Sequence, residues 1–137
     1  MTFESIKARA LKDLKKYPTD TGLDRYLNAI NTNPNAVTKG SCSGLADPKW
    51  EDSKEHAGHP YVWVAFRNAQ ITADYMSKLS DMGYEVSMIK SSDCPYVVYV
   101  DLPGTTNGRG ARRPRGRMAS PSECQRFWNG VTRILSH

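Results

Sequence analysis

Residues 38 to 44 bring together the side chains in this chain that are best suited to bind or attack a small ligand. The stretch reads Thr-Lys-Gly-Ser-Cys-Ser-Gly, so hydroxyl groups and a thiol lie between two glycines. Gly40 and Gly44 permit left-handed backbone and close approach by a ligand, and successive backbone donors between them can form an anion-binding concavity. Cys42 is a candidate nucleophile if Lys39 stabilises its thiolate. The alternative is an ordinary turn with a small buried thiol.

A second group of chemically competent side chains is a cluster of arginines between residues 103 and 118, which we predict to be a flexible basic loop. Removing its five arginines from the chain's 19 basic residues leaves 14 basic against 14 acidic residues, so the loop accounts for the whole excess of positive charge. Guanidinium forks match phosphate oxygens, which favours a polyanionic partner over a loop kept only for solubility. The five are Arg109, Arg112, Arg113, Arg115 and Arg117.

Aromatic residues could add base stacking to this charge, although such residues more often belong to the core. The candidates are Tyr61, Trp63, Tyr96 and Tyr99. If about four or five phosphates are neutralised on a single strand, the logarithm of the affinity falls with that of the salt concentration at a slope of roughly −3. We expect RNA rather than DNA as the partner.

Two histidines near acids, His56 and His59, suggest either a metal site or a proton donor. Cys42 or Asp52 would complete a metal site, but the spacing is not that of a zinc protein, and we predict no metal. His59 is the better candidate for a proton donor or ligand contact, because imidazole titrates near neutral pH. Asp101 precedes the basic loop, where it either orients arginines, binds a ribose hydroxyl, or is a solvent-exposed hairpin acid.

The elements that must position these residues alternate between helical and strand patterns, which predicts an α+β fold. We expect a single domain over 1–137, with a small antiparallel or mixed sheet packed with about four helices. Predicted helices cover 3–16, a segment capped by Thr21 and stopped at Asn33, a segment capped by Thr72 and closed by Gly83, and a segment that begins at Ser120-Pro121-Ser122-Glu123. Predicted strands cover 36–38, 61–67, 84–90 and 96–102.

Two blocks of residues resemble the tRNA wybutosine-synthesising protein 3 family. They are Ile30-Asn31, Thr38 and Ser41-Cys42-Ser43-Gly44 in the first block, and the strand 61–64 that bears Trp63 in the second. The resemblance implies an α+β protein that uses S-adenosylmethionine to methylate a tricyclic guanosine derivative in phenylalanine tRNA. It implies that Thr38, Ser41, Cys42, Ser43 and Gly44 line the ligand site with Trp63 beside it, so we take Thr38, Ser41, Ser43, Gly44 and Trp63 as the cofactor-binding candidates. Cys42 and His59 are the catalytic candidates because of their own chemistry. Leu45 stands where the family usually has arginine.

The remaining composition narrows the function class and the location. No Walker loop, dinucleotide-binding glycine pattern, zinc-protease motif or nucleophile elbow is present, which disfavours an ATPase, a Rossmann dehydrogenase and an α/β-hydrolase. The apolar runs are far shorter than the ~20 residues of a membrane span. The three cysteines are an odd number at wide spacing, so we expect reduced thiols. With no signal-peptide pattern at the N-terminus, we expect a cytoplasmic protein.

Three functions remain open. The first is an RNA-binding, S-adenosylmethionine-dependent tRNA methyltransferase. The second is a non-enzymatic accessory protein, such as a viral one, that binds nucleic acid or nucleotides through the arginine-rich loop. The third is a protein whose basic loop binds an acidic protein surface.

Overall fold

Four helices and four strands are found in the part of the chain that the computed structural model describes, which is residues 2–17, 19–45, 57–89, 91–105 and 116–137. The predicted α+β class is therefore confirmed. The elements are α1 (Phe3–Lys16), α2 (Asp24–Asn31), β1 (Ala36–Cys42), β2 (Tyr61–Phe66), α3 (Ala69–Asp81), β3 (Glu85–Ile89), β4 (Val97–Asp101) and α4 (Pro121–Leu135).

The strands form one antiparallel sheet in the order β1-β2-β4-β3. β2 and β4 are central, as the apolar character of β2 on both faces predicts. β3 and β4 are consecutive in the chain and pair antiparallel, as the short connection between the two predicted strands favours. β1 forms one edge, and its register against β2 shifts between Thr38 and Gly40, so that Lys39 is the extra residue of a bulge.

One face of the sheet carries the main hydrophobic core. Val62, Val64 and Phe66 of β2 alternate with residues of the opposite face, and they pack with Val98 and Val100 of β4. The helices α2, α3 and α4 cover this face through fully buried leucine, isoleucine, valine and aromatic side chains. These include Leu27, Ile30, Leu79, Phe127, Val131 and Leu135.

The opposite face of the sheet has a smaller core under α1. Phe3 and Ile6 of α1 pack against Val37, Ala65 and Val97, which lie in one row across three strands. The lysines of α1 lie between its apolar positions, so the helix presents one apolar stripe to the sheet. Beyond this row, the composition of the face changes from aliphatic to aromatic and polar.

The prediction of a turn over residues 39 to 44 is wrong for its first four residues, because β1 continues to Cys42. Gly40 normally disfavours a strand. Here it lies opposite Trp63, whose ring covers the glycine backbone at 3.6 Å from the position of an added Cβ. Packing of Gly40 against the indole therefore outweighs the low strand propensity of glycine, and the bulge accommodates Lys39 as the extra residue.

Two predicted helix caps are also wrong. Thr21 lies in a turn, and α2 begins at Asp24 with Leu23 as its N-cap and no side-chain cap. The carboxylate of Asp24 accepts a hydrogen bond from the hydroxyl of Thr19 instead. Asn68 caps α3 by accepting from the Ile71 N–H at 2.9 Å, while the Thr72 hydroxyl donates to the Asn68 carbonyl. Asparagine is a better N-cap than threonine.

The remaining boundary signals are confirmed. Ser120 caps α4, Pro121 occupies the first turn, and Glu123 completes a capping box. Gly83 ends α3 with a φ of +91°, as its predicted left-handed position requires.

All three cysteines are buried and free. None of the described helices is long and apolar enough to cross a bilayer.

Candidate functional site: an acidic cleft and an aromatic sheet face

A cleft of about 300 Å³ lies along the edge strand β1. The second half of α1 and the turn that follows it form one wall, and residues 38 to 41 of β1 form the other. Two carboxylates, Asp13 and Asp20, line this space together with the hydroxyl-bearing side chains of Tyr17, Thr38 and Ser41. The remaining lining residues are Ala10, Leu14, Thr19, Leu27, Lys39 and Gly40. We refer to this site as the acidic cleft.

Asn31 fixes Thr38 in the wall of the acidic cleft. Its side-chain oxygen accepts from the backbone N–H of Thr38 at 2.8 Å, and its side-chain amide donates to the Thr38 hydroxyl at 3.0 Å. Thr38 is 6% exposed, so both bonds lie in a largely dry environment. Asn31 and Thr38 are the first two parts of the pattern that carries the family resemblance. The two hydrogen bonds link positions seven residues apart and orient the Thr38 hydroxyl.

Asp20 is held in place by the backbone of Ser43. The N–H of Ser43 donates to Asp20 Oδ2 at 2.8 Å, and the carbonyl of Ser43 accepts from Trp128 Nε1 at 3.2 Å. Ser43 is therefore fixed by both its backbone groups, while its hydroxyl pairs with the backbone of Leu45. Ser43 thus supports the acidic cleft from behind and does not line it.

Lys39 does not neutralise the two carboxylates of the acidic cleft. Its ammonium lies 2.7 Å from the carboxylate of Asp93, in the connection between β3 and β4. Hydrogen bonds from Lys39 and then from Ser91 hold the pKa of Asp93 below its usual range. Because this cation already has a partner, the acidic cleft favours cationic or hydroxyl-bearing ligands over anionic ones. The predicted anion-binding concavity is not formed, because residues 40 to 42 belong to the extended strand β1 and the Ser43 N–H donates to Asp20.

The other side of β1 leads to a group of three aromatic rings on the α1 side of the sheet, which we call the aromatic face. The rings of Tyr61 and Tyr99 stack with centroids 5.2 Å apart, and Trp63 lies 6.1 Å from Tyr99. The register places these residues in two rows across the four strands. The rows are Gly40-Trp63-Tyr99-Ser87 and Cys42-Tyr61-Asp101-Glu85.

The structure separates residues that the sequence grouped into one site. Alternation along β1 places Thr38 and Ser41 beside the acidic cleft, whereas Cys42 pairs with Tyr61 in the rows of the aromatic face. Cys42 is 8% exposed and Trp63 is half-buried. The proposed cofactor residues Thr38 and Ser41 therefore lie together, and Trp63 lies with Cys42 on the other face of the strand.

Gly44 and Gly58 close the connection between β1 and β2. The N–H of Gly58 donates to the Gly44 carbonyl at 2.6 Å, and the Gly58 carbonyl accepts from the N–H of Ala119 at 2.8 Å. A Cβ on Gly44 would lie 2.7 Å from the sulfur of Cys124, so Gly44 is a packing residue. Burial raises the pKa of the Cys124 thiol, which keeps this sulfur protonated and unreactive.

His59 anchors the start of the basic loop. It is 1% exposed, and its Nδ1 donates to the carbonyl of Thr105 at 2.6 Å. The carbonyl of Gly104 accepts from the N–H of Arg117 at 2.8 Å, which joins the two ends of the segment that carries the arginines. The predicted proton donor His59 is thus a buried residue that positions the loop stem.

Arg117 is the one predicted phosphate contact within the described residues, and it is ion-paired with Glu123. Arg109, Arg112, Arg113 and Arg115 lie outside the described residues, as do Asp52 and His56. Across the described ranges, no cluster of three histidine, cysteine or acidic side chains could hold a metal ion. Asp101 is fully buried, so the expectation of a solvent-exposed acid is wrong.

Sequence reasoning did not identify Asp13 and Asp20. Asp13 occurs among lysines on a helix, where an acid indicates an ordinary solvated face, and Asp20 follows a proline in a turn. What brings them together is spatial, because both residues line the cleft beside β1. The link between Asn31 and Thr38 was present in the sequence as a pattern, but its physical reason needed the hydrogen bonds.

The fold and these two sites define a single α+β domain with helices on both faces of an antiparallel sheet. No protein-family model and no curated protein matches the chain. Among solved structures, the chain is similar to the PH1069 protein from Pyrococcus horikoshii, with a TM-score of 0.56 and 14% sequence identity over 98% of this chain and 91% of that one. At that identity the similarity shows a shared fold and nothing about ligands.

Proposed function

We propose that this protein is an S-adenosylmethionine-dependent methyltransferase that acts on a tRNA-like RNA. The observation that supports the proposal is the acidic cleft, where the Asn31-anchored Thr38 and Ser41 face Asp13 and Asp20. When bound, S-adenosylmethionine supplies an electrophilic methyl group on a cationic sulfur. Hydroxyls and carboxylates are the groups that would recognise its ribose and its positive charges.

The residues of the acidic cleft fit such a ligand in size and in charge. A volume of about 300 Å³ is at the lower end of the range for small-molecule sites. Asp13 and Asp20 would attract the cationic groups, and the hydroxyls of Thr38 and Ser41 would position the polar parts. Lys39 is ion-paired with Asp93, so it does not neutralise the negative charge of the cleft.

Binding of the methyl donor can be tested by calorimetry with matched variants. Asp20→Asn retains an oxygen that can accept from Ser43 N–H but removes the charge, so we expect S-adenosylmethionine to bind roughly tenfold more weakly, a loss of about 1.4 kcal/mol. Binding of the neutral thioether S-adenosylhomocysteine should change much less. Ser41→Ala should weaken both ligands, because it removes a hydroxyl from the cleft wall.

The control for Ser41→Ala is Ser43→Ala, because the Ser43 hydroxyl pairs with Leu45 and does not line the cleft. The control for Asp20→Asn is Asp74→Asn on the exposed side of α3. If the wild-type protein gives no binding heat and no rise in melting temperature with millimolar S-adenosylmethionine, the methyltransferase proposal is wrong.

The second candidate is a nucleic-acid-binding module that carries out no chemistry. The half-buried rings of Tyr61 and Trp63 favour it, because aromatic rings on a four-stranded sheet can stack on the bases of single-stranded RNA without a cofactor. RNA binding that is salt-sensitive but indifferent to saturating S-adenosylmethionine would favour this module over the enzyme.

A further inference from the structure

Lys39 is the only basic residue among the described residues that line the acidic cleft. It is also the extra residue of the bulge in β1, because the register passes from Thr38 to Gly40 without a partner for Lys39 on β2. A bulge changes the direction in which a side chain leaves its strand. The charge that the cleft presents to a ligand therefore depends on where this one ammonium lies.

Asp93 holds the ammonium of Lys39 in an ion pair. Lys39 Nζ lies 2.7 Å from Asp93 Oδ2, and the Ser91 hydroxyl donates to Asp93 Oδ1 at 2.7 Å. The side chains of Lys39 and Asp93 are 20% and 15% exposed, so water screens this pair less than a pair on an open surface. Because Ser91 fixes the second oxygen, the carboxylate of Asp93 is held in one orientation toward Lys39.

Two carboxylates of the acidic cleft compete with Asp93 for the same ammonium. Asp13 and Asp20 line the cleft together with Lys39, and Asp20 is fixed by the hydrogen bond from the Ser43 N–H at 2.8 Å. A lysine ammonium is a compact charge on a flexible stem of four carbons, so it can turn toward the carboxylate that attracts it most strongly. While Lys39 is paired with Asp93, the cleft presents two carboxylates to a ligand, and an inward Lys39 would neutralise one of them.

From these contacts we infer that Asp93 is a positioning residue that makes the acidic cleft selective for a small organic cation, because it holds the Lys39 ammonium away from Asp13 and Asp20. The inference rests on the proposed function for the natural ligand, whose cationic sulfur would be the group selected. Asp93 acts on that ligand only through Lys39.

The test compares the affinities of two ligands that differ by one positive charge. S-adenosylmethionine is compared with S-adenosylhomocysteine by calorimetry, and choline is compared with its uncharged isostere 3,3-dimethylbutan-1-ol by changes in NMR chemical shifts. In Asp93→Asn we expect the preference for the cation to fall roughly tenfold in each pair, because the charge of Lys39 is no longer compensated outside the cleft. Ser91→Ala should lower the preference less, because it loosens Asp93 without changing any charge.

Further variants separate charge selectivity from a structural role of the ion pair. The double variant Lys39→Met/Asp93→Asn should recover the wild-type preference, because no ammonium is left to turn inward, and Asp93→Glu should largely retain it. Asp74→Asn, on the exposed side of α3, is the control for the loss of an acid elsewhere. A pair that only fastens β1 to the β3–β4 connection would instead weaken the charged and uncharged ligands equally when it is broken.

The inference would be overturned by an unchanged preference in Asp93→Asn, by equal weakening of both ligands of each pair, or by no recovery in the double variant. A wild-type protein that binds neither cation better than its uncharged counterpart would overturn it as well. If S-adenosylmethionine does not bind but the preference for choline is present and depends on Asp93, the methyltransferase proposal is wrong and this inference stands. If S-adenosylmethionine binds with a preference that Asp93→Asn leaves unchanged, the methyltransferase proposal stands and this inference is wrong.

Discussion

At Gly58, the absence of a side chain allows three backbone segments to approach closely. Its φ is +81°, and it bonds to Gly44 through its N–H and to Ala119 through its carbonyl. An added Cβ would lie 2.6 Å from Met118 Cβ and 2.8 Å from the Met118 backbone. Because a backbone atom cannot move aside as a side chain can, the connection between the sheet and α4 depends on glycine here.

We therefore expect Gly58→Ala to lower the stability by about 3 kcal/mol, which combines left-handed strain with overpacking. Gly22→Ala is the matched control, because Gly22 has the same φ of +81° with nothing within 4 Å of the added Cβ. The control should cost only about 1 kcal/mol. Urea unfolding of both variants measures the difference, and equal losses would show that the predicted clash is relieved by movement.

The residue scale also shows why the motif around Cys42 was only partly predictable. Thr38, Ser41, Ser43 and Gly44 fall within one stretch of seven residues, which predicts that they line one site. Strand alternation and a bulge at Lys39 give them different surroundings, and the bulge depends on pairing with Trp63, more than 20 residues away. Residue types predicted the hydroxyls of the acidic cleft, but the partners of those hydroxyls depend on tertiary contacts.

At the scale of elements, the start of α4 is determined by the residues at that position in the sequence. Ser120, Pro121 and Glu123 predicted its start, and the capping box is present with Ser120 accepting from the Glu123 N–H at 3.2 Å. The start of α2 was not predictable in this way. The carboxylate of Asp24 accepts a hydrogen bond from the Thr19 hydroxyl instead of capping the helix, and Leu23 packs into the core. A cap motif therefore predicts a helix start only when no tertiary contact competes for its side chains.

The ion pair of Arg117 with Glu123 gives α4 a predicted pH dependence. The hydrogen bond from Arg117, followed by that from the Ser120 backbone, lowers the pKa of Glu123 from 4.5 to about 2. A lowered folded-state pKa means that the contribution is complete above about pH 4.5 and is lost as the pH falls toward about 2. The melting temperature of Glu123→Gln should therefore lie below that of the wild type at neutral pH and converge with it in acid. The control is Glu4→Gln, at an exposed acid of α1, which should leave the contribution of Glu123 to the stability of α4 intact. If the difference in melting temperature between Glu123→Gln and the wild type stayed constant across pH, the assignment to Glu123 would be wrong.

At the scale of the whole molecule, the fold was predictable because each segment of the described chain carries a clear period. The four helices and the β3–β4 hairpin follow from hydrophobic spacing, and β2 is central because both of its faces are apolar. The order β1-β2-β4-β3 was not predictable, since it depends on pairing between strands that are distant in the sequence. For the same reason, the two faces of β1 could not be assigned to their separate sites.

The distribution of charge over the molecule predicts a measurable salt effect. Replacing Arg109, Arg112, Arg113 and Arg115 with alanine should lower RNA affinity and remove most of a salt slope of roughly −3. Arg117→Ala should change the slope less, because the guanidinium of Arg117 is already paired with Glu123. Fluorescence anisotropy over a range of salt concentrations measures both. A slope unaltered by the fourfold substitution would show that other residues carry the contact.

The backbone closures at Gly44–Gly58 and Gly104–Arg117 have a consequence for the design and evolution of this protein. Each closure joins the two ends of a connection with a hydrogen bond, 2.6 Å for the first and 2.8 Å for the second, so the cost of bringing the ends together is met by the scaffold itself. We therefore expect a change in the length of either connection to leave its paired ends in place, at a closure cost that grows only slowly with length.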